Sequence, residues 1–219
     1  RTLELDPYTL APLRIDPMAL AALQARALLD AGLATEADFA RVAERSRADA
    51  ANNPQAPSTP PLSNAHALTQ PYLRPPLRAH DGPVRTDGAA AIVLSTKPVG
   101  PRIAGIAHCI DVHQPGFRDL TVSPSMATAA KAAGGTAGVE VVELHIDYTS
   151  QEGILLRALG LGAGVSVSPS GGALVANTPM VSGLCRIGHA ARAVRGGAHR
   201  ALGHATSGPL LQHNLVCRL

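Results

Sequence analysis

Apolar residues follow two different rhythms along this chain, one before residue 52 and another after residue 86. Met18, Leu20, Leu23, Ala27 and Leu28 recur at nearly 3.6 residues and predict a helix over Pro17–Ala31, with Asp16 as N-cap, Pro17 at the first helical position and Gly32 as the stop. A second helix is predicted from Thr35 to Ala51. Its face is Phe39, Val42, Ala43 and Ser46, and Glu36 and Asp38 sit in the first turn, where the helix dipole favours them. Prolines 54, 57, 60, 61, 71, 75, 76 and 83 then forbid regular structure, apart from a short helix near Asn64–Leu68.

After the proline segment the rhythm shortens. Asp87 to Ser95 is a turn followed by a continuous apolar run, the pattern of a strand buried on both faces, and Arg102–Val112 is a second apolar strand. A helix over Pro124–Ala133 led by Ser123, a strand over Val139–Leu144, a helix over Thr149–Leu159 and a strand over Gly164–Val167 follow. A helical region over Gly171–Arg195 and strands over Arg200–His204 and Leu210–Arg218 close the chain. Alternating strands and helices imply an α/β fold built in layers.

Composition narrows the function classes. Aromatics make up only 2% of the chain and tryptophan is absent, so the core must fill by close approach of small residues. The 19 Lys+Arg against 16 Asp+Glu are scattered, with no basic block to follow a nucleic-acid groove. Cys109, Cys185 and Cys217 are odd in number and lack a CxxC spacing. That argues against a disulfide framework or a zinc site, and all three read as buried structural thiols in a reducing compartment. No apolar run reaches the ~18 residues of a membrane span, and no charged-then-apolar leader appears at the start of the sequence, so a cytoplasmic protein is expected.

Chemistry concentrates in the last third. Ser168-Pro169-Ser170-Gly171-Gly172 is a small-residue turn feeding a helix, and Ala201-Leu202-Gly203-His204 leads into a loop at Gly208. Such turns bring backbone N–H groups and one titratable side chain to a common point. Glu143-Leu144-His145 adds a second histidine. The other seven histidines, at 66, 80, 108, 113, 189, 199 and 213, lack such context and read as surface or structural groups.

These segments resemble the thiolase superfamily, in the branch of sterol carrier protein 2 thiolases and actinobacterial lipid-transfer-protein-like thiolases. Asp87-Gly88-Ala89-Ala90-Ala91 resembles the DGAAA strand entry, and Glu143 to Tyr148 resembles the ELHDCF segment. Ser168 to Gly172 resembles the NPSGG turn, and Ala201 to His204 resembles the ALQHN strand. The resemblance implies thiolase-like αβα layers: the C-terminal half of a duplicated five-layer fold over residues 87–219, preceded by part of the loop region over residues 1–86. It implies an acyl-CoA substrate, the CoA thioester, with no metal or tightly bound cofactor, and a carbon–carbon bond made or broken beside the thioester.

By the same resemblance His204 is the proton-transfer residue and His145 an oxyanion or water-holding donor. Asn177, Thr178, Gly171, Gly172 and Gly208 position the substrate, and Arg85 and Thr86 contact CoA. Asn177-Thr178-Pro179 stands where most of the superfamily has Gly-His-Pro, so Thr178 replaces a histidine with a hydroxyl that cannot carry a proton at neutral pH. No segment before Asp87 resembles the nucleophile region of the first half. The chain is therefore expected to be a C-terminal piece completed by an N-terminal half or a complementary subunit, in a dimer or hetero-oligomer, with a zinc-ribbon and oligonucleotide-binding-type barrel protein as a further partner. Three functions stand open: an acetyl-CoA acetyltransferase-type enzyme, a retro-aldol lyase acting on a lipid or steroid side-chain acyl-CoA, and a non-catalytic structural subunit.

Overall fold

The computed structural model describes residues 6–8, 10–13 and 15–219. Two helices come first. In α1 (Pro17–Asp30) the Asp16 side chain accepts the Ala19 N–H at 2.7 Å, and in α2 (Glu36–Ala50) Thr35 and Asp38 form a reciprocal capping box. The proline segment holds a short helix α3 (Asn64–Thr69) and a two-stranded ribbon of β1 (Tyr72–Arg74) and β2 (Leu77–Arg78). Buried Asp81 ties this segment to the domain by accepting the Thr149 hydroxyl at 2.6 Å.

The centre is a five-stranded sheet in the order β3 (Gly105–Ile110), β7 (His213–Arg218), β6 (Ala201–Ser207), β4 (Val141–Glu143), β5 (Ser166–Val167). β4 runs parallel to both β5 and β6, while β7 is antiparallel to β6 and to β3. Strand period two then sorts the side chains. Val142, Leu202 and Val216 face a core shared with α4 (Pro124–Ala132) and α5 (Ser150–Leu159). Ala201 and Cys217 face the other side, against α7 (Ser182–Arg195). α6 (Gly172–Val175) lies between turn and loop. Small residues permit the close helix–strand approach expected of an alanine-rich core: a Cβ at Gly183 of α7 would overlap Ala205 of β6.

Several expectations change. Residues 87–95 form no strand, and Val93 and Leu94 are 93% and 72% exposed. A buried strand needs a ladder partner, and none of the described residues supplies one. Their exposure continues through Val99, Ile103, Ile106 and Ile110, leaving an apolar strip beside β3. The helical region from Gly171 breaks at residues 176–181, because Pro179 disfavours the α conformation at Thr178 and offers no N–H. Ser123 makes no capping bond to α4; its hydroxyl accepts instead from Asn214 at 3.2 Å. Leu23 is exposed, while neighbouring Gln24 is buried and donates to the Leu120 carbonyl at 3.1 Å. Of the three cysteines only Cys217 is fully buried, and burial pushes its thiol up; Cys109 and Cys185 are half-buried.

The turn before α6 is sterically exacting. Gly171 sits at φ +86° with its hypothetical Cβ 2.7 Å from both Ala50 Cβ and Val175 Cγ2. Gly171→Ala is expected to cost about 1–2 kcal/mol for left-handed backbone and a further ~1–3 kcal/mol for overpacking. Denaturant unfolding measures the sum; a change below about 1 kcal/mol would mean that the turn relaxes freely.

Candidate functional site

β4 and β6 end side by side, and residues just beyond their C-terminal ends form one wall of a cavity of about 540 Å³ near the N-terminus of α7. His145, Asp147 and Tyr148 come from the segment after β4, Thr206 to Leu211 from the end of β6 and its loop, and Arg85 and Asn177 from the two segments paired beside it.

His145 is fixed by backbone. Its Nδ1 accepts the Thr206 N–H at 3.3 Å, which puts the ring proton of the neutral form on Nε2, 3.8 Å from Asp147 Oδ1. Asp147 Oδ1 also accepts Asn177 Nδ2–H at 2.7 Å, and Asn177 Oδ1 accepts the Ser182 hydroxyl at 2.9 Å. The amide orientation of Asn177 is thus set from both ends. The Gln151 amide oxygen takes the Asp147 and Tyr148 N–H groups at 2.9 and 3.2 Å, holding the loop against α5. Serine, amide, carboxylate and imidazole form one polar chain whose last three members, Asn177, Asp147 and His145, line the cavity.

The structure brings His204 beside His145 but does not give it the cavity. Strand alternation turns its ring to the α4 side, where it is wholly buried. Nδ1 accepts the His145 N–H at 3.3 Å and Nε2 donates to Asn214 Oδ1 at 2.9 Å. Asn214 Nδ2 in turn donates to the Ser125 hydroxyl and the Leu211 carbonyl. Burial pushes the imidazole down to about 3, so the ring stays neutral across the physiological range with both nitrogens occupied. His204, expected to transfer protons, is thus not among the residues that line the cavity, and its ring holds the backbone of His145.

A histidine whose folded pKa lies below its unfolded value of 6.5 binds its proton more readily in the unfolded chain. Its share of stability is complete above pH 6.5 and declines by about 1.4 kcal/mol per pH unit as pH falls toward 3. His204→Gln is expected to flatten this acid limb in denaturant unfolding followed against pH. Parallel limbs for the two proteins would show that His204 titrates alike in both states.

The glycine turn meets the site from behind. Ser168 Oγ accepts the Leu144 N–H at 3.1 Å, and Ser170 donates its hydroxyl to Glu143 at 2.7 Å. Arg186 of α7 reaches the same point, 3.1 Å from Glu143 Oε2 and 2.7 Å from Ser170 Oγ, with both charged side chains 2% exposed. Burial raises the Glu143 carboxyl above its ordinary range, and the attraction of Arg186 opposes that shift. Gly171 and Gly172 are buried in this turn and do not reach the cavity, whereas Gly208 lines it.

Thr178 is turned away from the cavity. Its hydroxyl lies 3.1 Å from that of Thr86, and the Thr86 N–H donates to the Asn177 carbonyl at 2.9 Å, so Thr86 and Thr178 close the site's backbone. Arg85 projects at the exposed cavity margin. No cysteine lines the cavity among the described residues, nor do they hold a cluster of three or more potential metal ligands. Asp147, Arg186 and Asn214 were not singled out from sequence. Asp147 alone carried a signal, lying two residues after His145 in the same motif.

No protein-family model and no curated protein matches the sequence. Solved structures do match. The Ltp2-ChsH2(DUF35) aldolase superposes with a TM-score of 0.73 at 20% identity, over 97% of this chain and 65% of that one. Human mitochondrial 3-ketoacyl-CoA thiolase gives 0.70 at 15% identity, over 99% and 61%. The monomeric SCP2-thiolase like protein type 1 from Mycobacterium smegmatis gives 0.67 at 16% identity, over 93% and 52%. The chain thus spans between half and two thirds of the length of these structures. One of the matches is an assembly named for two components, and no helix among the described residues is long and apolar enough to cross a membrane. The five-stranded mixed sheet, its flanking helices and these superpositions make the fold thiolase-like.

Proposed function

We propose that the chain is part of an enzyme that makes or breaks a carbon–carbon bond next to a CoA thioester. The observation behind this reading is the His145–Asp147–Asn177 chain at the wall of a cavity in a thiolase-like fold. An acyl-thioester carbon loses or gains a proton through an enolate, and an imidazole is suited to move that proton near neutral pH. Asp147 steadies the charge that develops on His145, and Asn177 steadies Asp147. Arg85 at the exposed margin suits a CoA phosphate, since a guanidinium pairs bidentately with phosphoryl oxygens.

Two chemistries share these parts. In acyl transfer, the enolate attacks an acyl group carried elsewhere in the complete enzyme. In retro-aldol cleavage, a base takes the β-hydroxyl proton, the Cα–Cβ bond breaks, and the electrons settle on the thioester oxygen as an enolate, which is then protonated. The second reading draws support from Thr178, whose hydroxyl stands where most of the superfamily has a histidine and is engaged with that of Thr86. Offering the complete protein a β-hydroxyacyl-CoA, or a 3-ketoacyl-CoA with free CoA, separates them. Aldehyde or ketone release from the first means lyase, and thiolysis of the second means acyl transfer. Neither product, with His145 intact, would leave only the structural-subunit reading.

The exposed strip from Val93 to Ile110 suits a complementary thiolase-like half, in the same polypeptide or in a partner, since an apolar patch of this kind is normally covered. A zinc-ribbon and oligonucleotide-binding-type barrel protein that presents the acyl-CoA remains a further proposed partner.

A further inference from the structure

Behind the cavity wall, hydrogen bonds gather on a carboxylate that the proposed chemistry does not use. Asp111, the first residue after β3, accepts the Ser125 N–H at 3.2 Å and the Ser125 hydroxyl at 2.6 Å. It takes a free N–H in the first turn of α4, the kind of bond that Ser123 does not make. Its own N–H donates to the Gln212 carbonyl at 2.8 Å, and Gln212 Nε2 donates to the Asp111 carbonyl at 3.3 Å.

Every donor on the route from the cavity to Asp111 points the same way. The His145 N–H can only donate, so His204 Nδ1 accepts and Nε2 carries the ring proton. Asn214 Oδ1 receives that proton, which turns Asn214 Nδ2 toward Ser125 Oγ at 2.7 Å. Ser125 accepts there and sends its own proton to Asp111 Oδ2. Four bonds in series thus end on a carboxylate, and aligned donors polarise one another in a buried chain. Ser125, Asn214 and His204 are all buried, so no inner link faces bulk water.

The same cluster holds the turn after β6 in an unfavourable shape. Leu210 and Leu211 sit at φ +58° and +59°, and left-handed backbone of this kind persists only where its surroundings over-determine it. Here Asn214 Nδ2 donates to the Leu211 carbonyl at 2.8 Å, Arg118 Nη2 to the Pro209 carbonyl at 3.0 Å and the Asp111 N–H to the Gln212 carbonyl. Burial pushes the Arg118 guanidinium down, and the Asp111 charge opposes that shift. Pro209, Leu210 and Leu211 line the cavity together with His145.

We infer that Asp111 is a remote positioning residue for the cavity. Through Ser125, Asn214 and His204 it fixes the His145 backbone, and through Gln212 it steadies the strained wall at 209–211. Its effect on turnover rests on the proposed function; its effect on the His204 ring proton does not.

NMR of the complete protein with isotope-labelled histidine tests this. The wild type should carry the His204 ring proton on Nε2, in slow exchange with water. Asp111→Ala should speed that exchange by about tenfold. It should also lower kcat by about tenfold with little change in KM, as a small displacement of a catalytic group does. Asp111→Asn keeps an oxygen for the Ser125 hydroxyl and should restore both. Ser125→Ala breaks the next link while Asp111 keeps its bonds to Gln212; it should reproduce the faster exchange, and it carries the test should Asp111→Ala not fold. Asp38→Ala, which undoes the capping box of α2, should lower the thermal transition with neither effect. Wild-type exchange of the ring proton in Asp111→Ala and Ser125→Ala, no restoration by Asp111→Asn, or the same changes in Asp38→Ala would overturn the assignment. A wild-type protein without turnover would refute the cavity chemistry and leave the ring proton to decide this inference, so the two fail separately.

Discussion

Arg186→Leu is expected to destabilise the protein by about 3–5 kcal/mol, the usual result of stranding one charge of a buried pair. Glu143 is 1% exposed, and without the guanidinium it retains only the hydroxyl and N–H of Ser170. The companion variant Glu143→Leu/Arg186→Leu removes both charges, and it should regain most of the loss. Its remaining deficit would be about 1–3 kcal/mol for the Ser170 N–H left unpaired. Burial already raises the Glu143 carboxyl, and losing Arg186 raises it further. The folded single variant therefore holds a proton that the unfolded chain releases, so its deficit should grow as pH climbs above 4.5 and shrink as pH falls toward it. Denaturant unfolding of the three proteins at several pH values reads all of this. Equal stability of the single and double variants would show that the network carries no buried charge. The pair clamps β4, α7 and the 168–172 turn together, so the single variant should also disturb the cavity that these elements border.

His145→Ala is expected to lower turnover by about 10²–10⁴-fold, the range for removing a positioned acid–base group. The fold should survive, since His145 lines a cavity and its Nδ1 partner, the Thr206 N–H, can turn to water there. Asp147→Asn should give a smaller loss, because an amide keeps the bond geometry toward Asn177 while losing the charge. Asn214→Ala offers a contrast: it strands the His204 Nε2–H in the core, so its main effect should be on stability, by about 1–3 kcal/mol. A His145→Ala protein with normal turnover would remove the cavity from the chemistry.

Local signals carried much of this fold into view from sequence. The caps at Asp16 and Thr35 and the apolar spacing of α1 and α2 are written in neighbouring residues, as are the strand patterns of β6 and β7. What depended on distant partners was not legible. The apolar run at 87–95 has strand composition, but pairing decides whether it is a strand, and its partner is not among the described residues. Leu23, expected on the apolar face, is exposed, and Gln24 is buried beside it because the Leu120 carbonyl, far along the chain, gives the glutamine amide a bond.

The site divides in the same way. His145 and His204 were visible as a pair, and the structure does place them in contact. Which one faces the cavity was settled by strand alternation and by Asn214, a partner ten residues further on across a turn. Arg186 looked like one more helix arginine until folding set it against Glu143. Thr178 was read as a substrate-positioning hydroxyl, yet it pairs with Thr86, and only the bridge between Arg85 and Asn177 brings those two together.

The most direct measurement is hydrogen exchange at the carbon beside the thioester. The complete protein is incubated with acetyl-CoA in deuterium oxide and the acetyl protons are followed by NMR. The proposed cavity chemistry requires deuterium to enter the acetyl methyl group with the wild-type protein and to stop entering with His145→Ala. Exchange at the same rate in both proteins, or none above the buffer rate in the wild type, would contradict it.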